Sequence, residues 1–204
     1  MNLAMQINDY FSLVADTLDR LDRECISRFV DMVLQTCDND GTIFIFGNGG
    51  SAATASHICG DFVKGISHGS RKKLKVICLN DNVPALMAIA NDLSYDDIFI
   101  EQIKNFLKKE DLVIGISGSG NSRNVVRCIE YANRIGAKTV AFCGFSGGRI
   151  KKISSLAVHA DVYNMEVAED IHLIIAHCVK SIIAKRFKSI SVCEVDKLAA
   201  ATAT

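Results

Sequence analysis

The stretch Thr42–Ser56, TIFIFGNGGSAATAS, decides the fold: a short apolar strand runs straight into Gly47-Asn48-Gly49-Gly50-Ser51 and then into an alanine-rich helix. Glycines at a strand-to-helix turn let the backbone take positive φ and come close to a ligand. The following helix directs its unpaired N–H groups and positive dipole end at the same spot, so an anion is the natural occupant. The arrangement recurs downstream, where Leu112–Ile116 leads into Ser117-Gly118-Ser119-Gly120-Asn121-Ser122 and a helix from Arg123. Three hydroxyls crowd this second turn, which suits three phosphate oxygens. Neither loop reads GxGxxG before a helix or GxxxxGKS/T, which disfavours dinucleotide and Walker-type sites. One glycine-rich loop is ordinarily a plain turn. Two of them, each after a strand and before a helix, point to a small phosphorylated molecule.

Outward from these loops the chain alternates strands and helices. Apolar, β-branched runs predict strands at Thr42–Phe46, Leu74–Leu79, Leu112–Ile116, Thr139–Cys143 and Leu156–His159. They are apolar throughout rather than alternating, as parallel strands covered on both faces are. Helical segments are predicted at 51–66, 83–91, 95–109, 121–135 and 147–153, with a long final helix over Val167–Phe187. The pattern is an α/β, doubly wound, five-stranded parallel sheet flanked by helices. In such sheets ligands sit beyond the carboxyl ends of the strands, where both glycine loops fall. Ahead of the sheet, Phe11, Val14, Leu18, Leu21, Ile26, Phe29, Val30, Met32 and Val33 recur at helical spacing, predicting two helices within Leu3–Thr36 that meet near Asp22–Glu24. Their apolar stripes exceed what one sheet edge absorbs. They pack within the subunit or form a helical oligomer interface.

The 204 residues suit one domain, and a formal net charge of zero offers nothing to nucleic acid or a membrane surface. Eight cysteines form neither CxxC nor zinc-knuckle spacings, and Cys59, Cys78, Cys128, Cys143 and Cys178 fall within helix and strand patterns. They read as small buried hydrophobes of a reducing cytosol. With no leader-like segment and no long apolar run, the chain reads as cytoplasmic. Val195–Ala201 matches what a SalI–HindIII–NotI cloning site encodes, so 195–204 reads as a vector-derived tail and 1–190 as the domain proper.

Candidate chemical groups sit near the presumed site. His57 and Asp61, at i,i+4, share a helix face. The last helix opens Glu166-Val-Ala-Glu169-Asp170-Ile-His172 and continues to His177. Its acidic residues serve as dipole complements or as site groups. His172 reads as a satisfied core residue, whereas His57 and His177 suit proton shuttling near neutral pH. His57 and Asp61 can share an ion, and Zn²⁺ accepts N and O ligands. Glu169 and His177, about 12 Å apart along a regular helix, cannot both reach that ion unless Glu169 precedes the helix or subunits share the site. Asp92 is either a helix-ending residue or one more carboxylate near the strand ends. Arg71-Lys72-Lys73 is a solvated turn.

As a set, GNGGS, AxxH on the next helix, ANDxxYDDIF at Ala90–Phe99, GISGSGNSxNV at Gly115–Val125, GxxGG at Gly144–Gly148 and ExxExxHxxxxH at Glu166–His177 resemble the sugar isomerase (SIS) family. Within it, the chain is similar to the phosphoheptose isomerases over almost its whole length. The resemblance implies the SIS fold and a homotetramer built on a helical bundle, with the N-terminal segment 1–36 as its oligomerisation element. It implies aldose–ketose isomerisation of sedoheptulose 7-phosphate to a D-glycero-D-manno-heptose 7-phosphate, supplying heptose for capsule or lipopolysaccharide. Asn48, Gly49, Gly50, Ser51, Ser117, Gly118, Ser119 and Ser122 are expected at the phosphate end, with Asp92 and Glu169 along the sugar. Asp61 and His177 fall on the catalytic positions, and His57, Asp61, Glu169 and His177 on those that hold one zinc per subunit in some members. Three departures stand out. Asp61 replaces a glutamate; Glu169 replaces a glutamine and Glu166 an aspartate; Gly118 replaces a common threonine. A different expectation comes from non-catalytic SIS adaptors of replication-initiation regulators, which lack the final-helix histidine present here as His177. An isomerase of another sugar phosphate, or a sugar-phosphate-binding regulatory domain, completes the alternatives.

Overall fold

A computed structural model describes residues 2–202, with side chains as far as Lys188. Strands β1 (Thr42–Gly47), β2 (Lys75–Cys78), β3 (Leu112–Ser117), β4 (Lys138–Cys143) and β5 (Leu156–His159) form one sheet in the order β2-β1-β3-β4-β5, every pair parallel. The order reverses between β1 and β3, whose register aligns Gly47 with Ile116. The two glycine loops therefore leave neighbouring strands at the switch point, where ligand crevices form in doubly wound sheets.

Alternate residues feed two cores, because strand side chains point to opposite faces. Ile43 and Ile45 of β1 join Ile114, Phe142 and Val158 beneath α1 (Leu3–Asp19), α2 (Arg23–Asp38), α3 (Gly50–Gly60) and α8 (Met165–Thr202). Phe44 and Phe46 join Val113, Ala141 and Cys143 on the other face, under α5 (Ile100–Ile103), α6 (Arg123–Ile135) and α7 (Gly148–Ile153). Caps fix the helix starts: Asp22 accepts from the Cys25 N–H, and Asn82 accepts from Ala85 N–H at the start of α4 (Val83–Asp92), beside Pro84.

Several expectations are corrected. The helix expected over 95–109 is a 3₁₀ turn at Tyr95–Asp97 followed by the four-residue α5. Tertiary bonds override the local pattern: Asp96 and Asp97 pair with Arg123 and Arg127 of α6, and Gln102 donates to the Leu79 and Ile98 carbonyls. The segment after α3 is a π-helical turn, Asp61–Ile66, rather than continued α-helix. Cys178 is exposed instead of buried, since it faces a groove of about 440 Å³ between α1, α2 and α8. His172 is in the core as expected, with no ring nitrogen in full hydrogen-bond geometry and the Cys143 backbone as a polar neighbour. The final helix extends past Phe187, and the side chains of 195–204, the expected tail, lie outside the described residues.

Two surfaces are apolar and uncovered. Helix α1 buries only Thr17 and exposes Leu3, Met5, Ile7 and Phe11; α4 buries nothing and exposes Val83 and Met87. Among the described residues, no helix is long and apolar enough to cross a membrane.

Candidate active site

The first loop is shaped by what its backbone must approach. Gly49 takes φ +55° at the cap of α3, and a Cβ on Gly47 would lie 2.7 Å from that of Ser51. Asn80 clamps Gly47 from beneath, accepting from its N–H at 3.1 Å and donating to its carbonyl at 2.9 Å. Asn48 and the buried Asn124 exchange reciprocal amide hydrogen bonds, each 2.9 Å, which tie the first loop to the second. The Tyr95 hydroxyl donates to Asn48 Oδ1 at 2.9 Å.

The serine loop rests on the glycine turn after β4. Gly144 N–H donates to the Gly118 carbonyl at 2.8 Å, and Ile150 N–H to that of Gly120 at 3.0 Å. Gly120 has φ +69°, and a Cβ there would collide with the Gly147 carbonyl oxygen. Ser117 Oγ donates to Ser122 Oγ at 3.1 Å, and Ser122 caps α6 without spending its side chain on the helix. The result is an open cavity of about 310 Å³ lined by Asn48, Ser51, Ser117, Ser119, Ser122 and Glu169. It joins hydroxyls to the N-termini of α3 and α6, a setting for an anion. Gly118 is matched to its cover: a Cβ there would collide with Met165 Sδ.

Glu169 lies at the mouth of α3, where a Cβ on Gly50 would run into its carboxylate. Partial burial, then the neighbouring Glu166 and Asp170, raise its pKa. Further along, α3 and α8 bring a second group together. His57 Nε2 and His177 Nε2 are 2.9 Å apart, and Asp61 Oδ2 is 3.7 Å from each. Lys180 Nζ stands 3.6 Å from the other oxygen of Asp61. Gly50 pairs with Glu169 and His57 with His177, so the helices run in the same direction, and the two groups lie about 10–12 Å apart along them.

The donor set decides which metal these groups suit. One ligand atom each from His57, Asp61 and His177 lies within 4.8 Å of the others. Two imidazole nitrogens and a carboxylate oxygen suit Zn²⁺, whose tetrahedral bonds of about 2.0 Å put neighbouring ligand atoms about 3.3 Å apart. Glu169 stands outside this group, because α8 is regular from Met165 onward. Asp92 does not line the serine-loop cavity; it is exposed and accepts from Asn91 Nδ2 at 2.8 Å.

Asn80, Tyr95, Asn124 and Lys180 join the site without being singled out by sequence reasoning. Tyr95 and Asn124 stand inside the quoted motifs. The one signal for Lys180 is its position a single helical turn beyond His177.

Known proteins share this architecture. The SIS domain profile matches residues 9–144. The phosphoheptose isomerase of Helicobacter pylori strain P12 is 36% identical over 165 residues, covering 81% of this chain and 85% of that protein. The structure of phosphoheptose isomerase GmhA from Neisseria gonorrhoeae superposes with a TM-score of 0.83 at 25% identity, over 90% of this chain and 100% of that one. That of a phosphoheptose isomerase from Francisella tularensis gives 0.82 at 25% identity, over 91% and 100%.

Proposed function

This chain belongs to the SIS domain family, and from that membership we propose that it is an aldose–ketose isomerase converting sedoheptulose 7-phosphate into a D-glycero-D-manno-heptose 7-phosphate. The observation that carries the reading is the pairing of α3 with α8. A hydroxyl-lined cavity of anion-binding character lies where the two helices begin, and a histidine–carboxylate group lies about 10–12 Å further along them. In this reading a sugar phosphate held by Ser117, Ser119 and Ser122 spans that distance, its unphosphorylated end at His57, Asp61 and His177.

Isomerisation moves one proton between C1 and C2 and another between their oxygens, through a cis-enediol, with no net oxidation. Asp61 takes the carbon-bound proton and His177 handles the oxygen-bound one. The same three groups, His57, Asp61 and His177, unprotonated, would instead hold a Zn²⁺, one per subunit, which when bound supplies Lewis acidity to the carbonyl in place of the proton on His177. Asn48 and Tyr95 orient the sugar hydroxyls from the side. The non-catalytic adaptor reading is weakened by the His57–His177 pair, which such a protein has no use for.

The enzyme is cytoplasmic in this reading, supported by its free cysteines, and feeds heptose into capsule or lipopolysaccharide. A homotetramer is supported by the uncovered stripe of α1 and the groove lined by Leu18, Ile26, Ile174 and Ile182. Incubating the protein with sedoheptulose 7-phosphate and following the new anomeric signals by NMR tests the function. Turnover of another ketose phosphate in preference would shift the substrate. No turnover of any sugar phosphate by folded protein would return the adaptor reading.

A further inference from the structure

Lys180 brings a cation to this site. Its Nζ lies 3.6 Å from Asp61 Oδ1, while the other oxygen, Oδ2, is the one 3.7 Å from Nε2 of both His57 and His177. The lysine reaches Asp61 by crossing the π-helical turn at Gly65. A Cβ on that glycine would meet Lys180 Cε at 2.6 Å and Nζ at 3.3 Å, so a side chain at 65 would displace the ammonium. Both partners are partly withdrawn from solvent, the Lys180 side chain 31% and that of Asp61 24% exposed. An aspartate has a short reach, and its carboxylate turns freely about its last bond unless one oxygen is held.

We propose that Lys180 is a positioning residue for the isomerase: its ammonium holds Asp61 by Oδ1, aims Oδ2 at the histidine pair, and competes with a divalent cation for the same carboxylate. The role in turnover rests on the isomerase reading; the competition does not. With Lys180 in place the carboxylate already has a positive charge 3.6 Å from one oxygen, and an incoming Zn²⁺ is repelled by that charge. Gly65 is the matching half of the device, since it supplies the gap through which the lysine passes.

The test compares wild type, Lys180→Met, Lys180→Arg and Gly65→Ala. It reads Zn²⁺ affinity of the substrate-free protein by calorimetry, and kcat and KM on sedoheptulose 7-phosphate. Lys180→Met should lower kcat by about 10–100-fold with KM held within about twofold, the signature of a misaimed base. It should tighten Zn²⁺ about tenfold, the scale of removing one positive charge from beside a ligand at intermediate dielectric. Lys180→Arg should restore both, whereas Gly65→Ala, which keeps the charge but moves it, should follow Lys180→Met. Equal Zn²⁺ affinity across the set, or no Zn²⁺ binding by any of the four proteins, overturns the proposal, as does Gly65→Ala behaving as wild type. If the wild type does not turn over the sugar phosphate, the isomerase reading falls, and the Zn²⁺ comparison still decides Lys180.

Discussion

His57 Nε2 lies 2.9 Å from His177 Nε2, across the seam between α3 and α8. The two ring nitrogens face each other directly, and Asp61 Oδ2 stands 3.7 Å from both, so three potential ligand or proton-carrying atoms converge on one point. These residues are 120 apart in sequence, and the packing of α3 on α8 alone unites them.

Asp61→Asn and His177→Gln should each lower kcat by about 10²–10⁴ while leaving substrate binding in place. Because the groups act as a unit, the double variant should be little worse than either single one. Steady-state kinetics beside direct binding of the sugar phosphate check this. Near wild-type turnover in both single variants, with Glu169→Gln inactive, would move the catalytic carboxylate to the start of α8.

The serine loop should dominate anion affinity. Ser119→Ala and Ser122→Ala are each expected to weaken sugar-phosphate binding by about 1–3 kcal/mol, the scale of a lost hydrogen bond to a charged group. Calorimetry with the sugar phosphate reads the loss directly. Unchanged affinity in folded protein would remove the assignment.

The sheet and both loops are legible in the sequence because their signals are local. Five apolar runs bounded by glycine turns leave few topologies, and the loops lie next to their strands. Residues 95–109 mislead because their state is set from α6 and β2, through Asp96–Arg123, Asp97–Arg127 and Gln102, which no window of sequence contains. Family resemblance places Glu169 both on the sugar and on a metal. The helix spacing argues that His177 and Glu169 of one subunit cannot share an ion from a regular helix, and α8 is regular from Met165 onward, which leaves a site shared between subunits as the arrangement that would unite them. Lys180 escapes a reading of sequence because its importance comes from the gap at Gly65 on another segment.

A tetramer is the expected assembly, because the apolar faces of α1 and of the groove beside it are uncovered. Phe11 is 64% exposed and Ile182 lines the groove beside α1 and α2. Such stripes are worth burying at about 25 cal/mol per Å². Light scattering should give a tetramer with D₂-like symmetry, and Phe11→Asp combined with Ile182→Asp should dissociate it. A stable monomer of the unaltered protein at micromolar concentration would rule this out.

The buried His172 should give the protein an acid-side instability that one substitution removes. Its side chain is 0% exposed and lies edge-on to Phe142 with centroids 5.6 Å apart, and neither nitrogen meets full hydrogen-bond geometry, the Cys143 backbone giving it only a weak polar contact. Burial, with His159 adding to it and the Cys143 backbone opposing, lowers its pKa from 6.5 to about 4. The unfolded chain therefore binds a proton between pH 6.5 and about 4 that the folded chain refuses. Stability contributed by the neutral ring is intact above pH 6.5 and is lost as pH falls toward about 4. The loss can reach about 3 kcal/mol, since each pH unit separating the folded and unfolded values is worth about 1.4 kcal/mol. Replacing the ring by leucine removes the titration whatever it does to stability at neutral pH, so the slope is the measurement. Urea midpoints taken in steps across this window should fall steeply for the wild type and less steeply for His172→Leu. Parallel slopes would mean that the folded protein accommodates the protonated ring, and that the site around Phe142 opens to water as the pH drops.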